Sequence, residues 1–126
     1  MTTRNLTLQE FDATIDADGI VLVDFWAEWC GPCRQFAPVF EAASERHADV
    51  TFAKVDTEAE RELAAMAQIT SIPTLMVFRD GIGIFSQPGA LPAQALESVI
   101  EQTRALDMDE VRKQLAAQEQ AERSGD

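Results

Sequence analysis

At 126 residues the chain has room for one domain whose hydrophobic core can stand without disulfide staples. Its 22 acidic residues against 10 basic ones give a net charge of -12, which argues against nucleic acid or an anionic membrane as the main partner. The apolar run Ile20 to Val23 stops at Asp24, far short of a membrane span, and Met1-Thr2-Thr3-Arg4-Asn5 lacks the apolar stretch of an export signal, so the expected location is the cytoplasm.

Leu6-Thr7-Leu8-Gln9-Glu10-Phe11 opens the first helix, expected over 8–17: Thr7 is the N-cap, Glu10 closes a capping box, and Leu6 and Phe11 form a hydrophobic staple. Gly19 suits a left-handed helix end, and Ile20-Val21-Leu22-Val23-Asp24-Phe25 reads as a central strand apolar on both faces, interrupted by one charge. A helix from Cys30 to about Arg46 follows, with Phe36, Val39, Phe40 and Ala43 on its buried stripe and Pro38 as an expected kink. Val50 to Val55 is a second strand, and 58–68 a helix with Leu63, Met66 and Ala67 on its apolar side.

Ile72 to Arg79 and Ile82 to Gln87 form a hairpin, because Asp80-Gly81 supplies the positive φ of a two-residue turn. Pro92 opens the last core helix, where Leu96, Val99, Ile100 and Thr103 recur at helical spacing. The order predicts an α/β sandwich on a mixed sheet, spanning 1–106. From Asp107 the composition turns to Gln, Ala and charge, so 107–126 is expected as a removable surface helix that frays into disorder, with Val111 and Leu115 its large apolar pair.

Both cysteines lie in Trp29-Cys30-Gly31-Pro32-Cys33, where a strand meets a helix. Residues i and i+3 on a first helical turn bring two sulfurs within bonding reach, and in a reducing compartment such a pair serves chemistry rather than stapling. With Cys30 as N-cap, the helix dipole and the Cys33 N–H favour negative charge on its sulfur, so Cys30 is the attacking thiol and Cys33 the resolving one. Lowering a thiol pKa from about 8.5 to about 7 raises the thiolate fraction at pH 7 roughly 16-fold while nucleophilicity falls roughly 5-fold. Acidity alone therefore contributes little, and the intramolecular second step contributes more. Zinc would need about four ligands, and His47, the other soft candidate, belongs to the far end of the helix, where it is expected to meet carbonyls.

Val23-Asp24-Phe25-Trp26-Ala27-Glu28-Trp29-Cys30-Gly31-Pro32-Cys33, with Ala53-Lys54-Val55-Asp56, Ser71-Ile72-Pro73-Thr74, Asp80-Gly81 and Gly89-Ala90-Leu91, resembles a bacterial-type thioredoxin over about residues 4–105. The resemblance implies a thioredoxin-like sandwich and a protein-disulfide reductase acting through Cys30 and Cys33, with Asp24 and Lys54 as a buried proton relay. It implies a docking surface of Trp29, Ile72, Gly89 and Ala90, with Gly31-Pro32 in the redox loop and Pro73 as a cis proline beside the disulfide. Trp26 reads as ordinary core. Ser71 departs from the family, standing where a glycine is common.

The implied partners are thioredoxin reductase and disulfide-containing targets such as reductases and peroxidases. The chain has no nucleotide-binding glycine fingerprint, so its electrons are expected to come from a partner that uses NADPH; it is expected to be a monomer with no cofactor or metal. The alternative is a redox-independent holdase or accessory subunit, which would survive removal of both sulfurs.

Overall fold

The computed structural model describes residues 2–124. Five strands, β1 (Thr3–Asn5), β2 (Ile20–Trp26), β3 (Thr51–Asp56), β4 (Thr74–Arg79) and β5 (Ile82–Pro88), form one sheet in the order β1-β3-β2-β4-β5. The first three pair in parallel, while β4 runs antiparallel to β2 and β5 antiparallel to β4. Helices α1 (Leu8–Ile15), α2 (Gly31–Arg46), α3 (Arg61–Met66), α4 (Ala93–Ala105) and α5 (Met108–Arg123) complete the chain. Among the described residues no helix is long and apolar enough to cross a membrane.

The two-residue period of a strand sorts β2 between two cores. Ile20 and Leu22 join Phe52, Leu75 and Val77 under Phe36, Phe40 and Ala43 of α2 and Leu96 and Ile100 of α4. Val21, Val23 and Phe25 face the other way, against Phe11 of α1 and Leu63 of α3. Both faces are covered, which is why β2 reads as an almost unbroken apolar run. The same alternation turns Asp24 and Lys54 toward the face that α2 covers, at the end of the sheet from which α2 departs.

The hairpin turn has φ of 54° at Asp80 and 83° at Gly81, the two left-handed residues that a tight antiparallel connection needs. Its tip is tied to the α1–β2 junction: the Gly19 N–H donates to Asp80 Oδ1 at 2.8 Å and the Asp80 N–H to the Gly19 carbonyl at 2.9 Å.

Several expectations need correction. Strand β1 has no counterpart among the expected elements; its three residues carry little apolar signal and are ordered by pairing with Phe52, Ala53 and Lys54 and by the Thr3 hydroxyl donating to Glu41 at 2.8 Å. Helix α3 begins at Arg61 instead of 58, because the Asp56 carboxylate accepts the N–H groups of Glu58 and Ala59 and holds that stretch as a turn. Met66, expected on the apolar side, is 64% exposed at the end of this short helix. His47 meets side chains instead of carbonyls, with Nε2 2.8 Å from Glu97 Oε1 and Nδ1 accepting from Arg104 at 2.8 Å.

The C-terminal segment, expected as a surface helix, forms one whose tie to the body its composition did not signal. It is helical as far as Arg123, and its first turn is anchored to the body. Met108 is buried, and Arg79 donates to the carbonyls of Thr103 and Leu106 at 2.9 and 2.8 Å, fixing the link between α4 and α5. Arg112 reaches Asp80 at 3.6 Å, and Val111 and Leu115 line a cleft of about 280 Å³ with Ile82 and Ile84 of β5. From Arg112 onward the described residues are exposed. Met1 lies outside the described residues, as do Gly125 and Asp126, on which the expected disorder partly fell.

Candidate active site

α2 begins where β2 ends, and its N-cap is Cys30. The Cys33 N–H points at Cys30 Sγ from 3.2 Å, Pro32 occupies an early position where a missing N–H costs little, and the two cysteines are joined as a disulfide across a Cα separation of 5.2 Å. Both residues are buried, at 4% and 3% exposure, so burial does not separate their roles. They differ in position: Cys30 Sγ collects the first-turn N–H, whereas Cys33 lies inside that turn. Ala27, Trp26 and Ile72 pack around the pair.

A second loop closes over the disulfide. The Ile72–Pro73 bond is cis, and the Ile72 carbonyl oxygen lies 3.7 Å from Cys30 Sγ. The Gly89 N–H donates to the Pro73 carbonyl at 2.8 Å, and Gly89 holds φ at 101°, a region that disfavours any residue with a Cβ. That bond draws the end of β5, with Ala90 beyond it, up to the cis-proline loop. Gly31 has open space where a side chain would stand. Ser71 is exposed, and its carbonyl accepts the Thr74 hydroxyl at 2.6 Å.

Trp29 is 67% exposed, in contrast to Trp26, which is half-buried against the cysteines. Two contacts hold the Trp29 turn that composition did not signal. Arg34 Nη1 donates to the Glu28 carbonyl at 2.9 Å, and Trp29 Nε1 points to Glu58 Oε2 at 3.4 Å. Arg34, four residues past Cys30, stands one helical turn into α2, a spacing that could have suggested its reach back. Glu58 carried no such sign, because its placement depends on the Asp56 turn.

Asp24 is fully buried, and neither of its carboxylate oxygens has a hydrogen-bond partner among the described residues. Burial pushes its carboxyl up to about 7, against a smaller downward pull from the Lys54 charge. The two residues stand side by side in the β2–β3 register, yet Lys54 Nζ lies over the Trp26 ring, 4.9 Å from its centroid. Lys54 therefore acts on Asp24 through space and not as a close ion pair. This raised carboxyl sits on the sheet face beneath the helix that carries Cys33.

A helix-capping cysteine, a second cysteine one turn on and a cis-proline loop over both define a dithiol–disulfide redox centre on a mixed sheet with helices on each face. The chain belongs to the thioredoxin family: the family model described as Thioredoxin matches residues 2–102. A relative from Streptomyces coelicolor that bears a thioredoxin name is 57% identical over 117 residues, covering 93% of this chain and 87% of its own length. The thioredoxin of Alicyclobacillus acidocaldarius is 45% identical over 97 residues, covering 76% of this chain and 92% of its own. Among solved structures, Plasmodium falciparum thioredoxin superposes with a TM-score of 0.73 at 38% identity, covering 79% of this chain and 97% of that one. The protein is accordingly a thiol–disulfide oxidoreductase, with disulfide-containing substrates. The Streptomyces match reaches well beyond the core that the family model covers.

Proposed function

We propose that Cys30 and Cys33 reduce protein disulfides in two displacement steps, with the other named residues in support. The reduced Cys30 thiolate attacks a target disulfide, forming a mixed disulfide and expelling one target sulfur as a thiolate, which takes up a proton. Cys33 then loses its proton to Asp24 and attacks Cys30 Sγ, re-forming the Cys30–Cys33 bond and releasing the second target thiol. Two electrons pass to the target, and the protein is left oxidised. What carries this reading is the 3.2 Å approach of the Cys33 N–H to Cys30 Sγ, since the group that stabilises charge on the nucleophile belongs to the residue that resolves the intermediate.

Asp24, raised to about 7 by burial, suits the proton-accepting role at neutral pH, with Lys54 tuning it through space. Trp29, Gly31, Pro32, Ile72, Pro73, Gly89 and Ala90 supply the docking surface, which the geometry of the two loops supports. The oxidised pair is returned to the dithiol by a thioredoxin reductase using NADPH, in the cytoplasm, with the protein acting as a monomer and residues 1–106 as the working domain. Insulin reduction coupled to NADPH oxidation by a thioredoxin reductase tests this. The expected outcome is turnover that needs both proteins; NADPH oxidation no faster with this protein than without it would overturn the reading.

A further inference from the structure

The rim of the disulfide is electrically lopsided. Residues 67–78 and 81–96 contain no charged side chain, in a chain where a quarter of all residues are charged, and these segments supply the Ile72, Pro73, Gly89 and Ala90 side of the site. The opposite side, at Trp29, carries a connected set of charges. The Trp29 indole N–H points to Glu58 Oε2 at 3.4 Å, and Glu58 Oε1 accepts Arg61 Nη2 at 2.9 Å. Thr57 ties this turn to the end of β2, its N–H and hydroxyl both donating to the Trp26 carbonyl at 2.8 and 3.0 Å.

Glu58 is therefore fixed from below by backbone contacts, yet its carboxylate is half in water, and Arg61 is 79% exposed. An exposed i,i+3 pair of this kind is weak, and one guanidinium exchanges readily for another cation. On the same turn the Asp56 carboxylate accepts two N–H groups and Glu60 accepts the Leu8 N–H at 3.0 Å, while exposed Glu28 meets Arg34 through its backbone carbonyl and not its carboxylate. Glu58 is the acid that both touches Trp29 and has a replaceable partner.

The geometry points to Glu58 as a positioning and specificity-determining residue, which holds the Trp29 ring beside Cys30 and exchanges Arg61 for a lysine or arginine of the target. Building on the disulfide-reductase reading, this gives the site a direction. A preferred target has a basic residue on the side of its disulfide that meets Trp29 and uncharged residues on the side that meets Ile72 and Gly89.

The test uses three short peptides with one intramolecular disulfide each, identical except for a lysine before the disulfide, a lysine after it, or glutamine at both places. Reduction by the full-length protein gives kcat/KM for each. One lysine placement should exceed the glutamine peptide by about three-fold, and the advantage should shrink in high salt. Glu58→Gln should bring that ratio close to one, Glu58→Asp should restore part of it, and Arg61→Gln should raise it by removing the competing cation. A partly misfolded variant lowers all three rates together and leaves the ratio alone. Equal rates for all three peptides with the wild-type protein, or a lysine advantage untouched by Glu58→Gln, would overturn the inference while leaving the reductase reading intact. Failure to reduce any of the three would bring down both.

Discussion

α2 and α5 each run for sixteen residues, and each begins with a side chain accepting the N–H three positions on: Cys30 Sγ from Cys33 at 3.2 Å, and Asp107 Oδ1 from Glu110 at 3.2 Å. Beyond the cap they diverge. α2 buries Cys33, Phe36, Phe40, Ala43 and Ser44, whereas α5 buries only Met108. Capping geometry is thus common to a redox site and a surface helix. What distinguishes α2 is where its cap sits, at the end of a covered sheet, with the Ile72–Pro73 loop closing over it and an ionisable carboxyl below.

Removing the sulfur chemistry should give the largest effect and separate the two caps most sharply. Replacing both Cys30 and Cys33 with Ser should abolish insulin reduction while circular dichroism shows the fold retained, since a serine can also cap a helix. Activity surviving the double replacement would favour a redox-independent role.

Asp24 gives the next largest effect. Its carboxyl stands at about 7 in the folded protein against 3.8 unfolded, so the folded state holds a proton that the unfolded state has lost. Below pH 4 both states are protonated and there is no penalty; as pH rises from about 4 to about 7 stability falls, by about 4 kcal/mol in all, and then levels. Asp24→Ala should lack this fall, gaining on the wild type with rising pH while slowing disulfide exchange. Denaturant unfolding at pH 4, 6 and 8 with single-turnover kinetics would show it. A wild-type curve that rises across this window would make Asp24 a stabilising anion.

α5 comes third. Ending the chain after Leu106 should cost about 2 kcal/mol through loss of the buried Met108 side chain, whereas ending it after Leu115 should cost under about 0.5 kcal/mol. Equal midpoints for both truncations would mean that the first turn does not hold the helix to the body. The smallest effect is Asp107→Ala, expected to cost about 1 kcal/mol of unfolding free energy with insulin reduction unchanged.

The contrast between the two helices also shows what was legible in the sequence. The Cys30 site was readable because its signals are local: a thiol spacing, a proline at an early helix position, an apolar strand with one misplaced carboxyl. The sandwich was readable because covered strands and helix stripes have periods of their own. β1 and the anchoring of α5 were not, since both depend on partners distant in sequence: Thr3 to Asn5 on β3, and Met108, Arg79 and Arg112 on one another's neighbourhoods. Met66 misled because helical spacing promised burial that a six-residue helix ends too soon to provide. Glu58 escaped because a turn set by Asp56, and not a motif, brings it to Trp29.

The order of the two sulfurs is central to the proposed mechanism, and trapping tests it most directly. The Cys33→Ser protein, reduced and mixed with a disulfide-containing target, should accumulate a mixed disulfide, and peptide mapping by mass spectrometry should place the link at Cys30. Cys30→Ser should trap little under the same conditions. A stable adduct formed through Cys33 in the Cys30→Ser protein, with none in the reciprocal variant, would contradict the assignment of nucleophile and resolver.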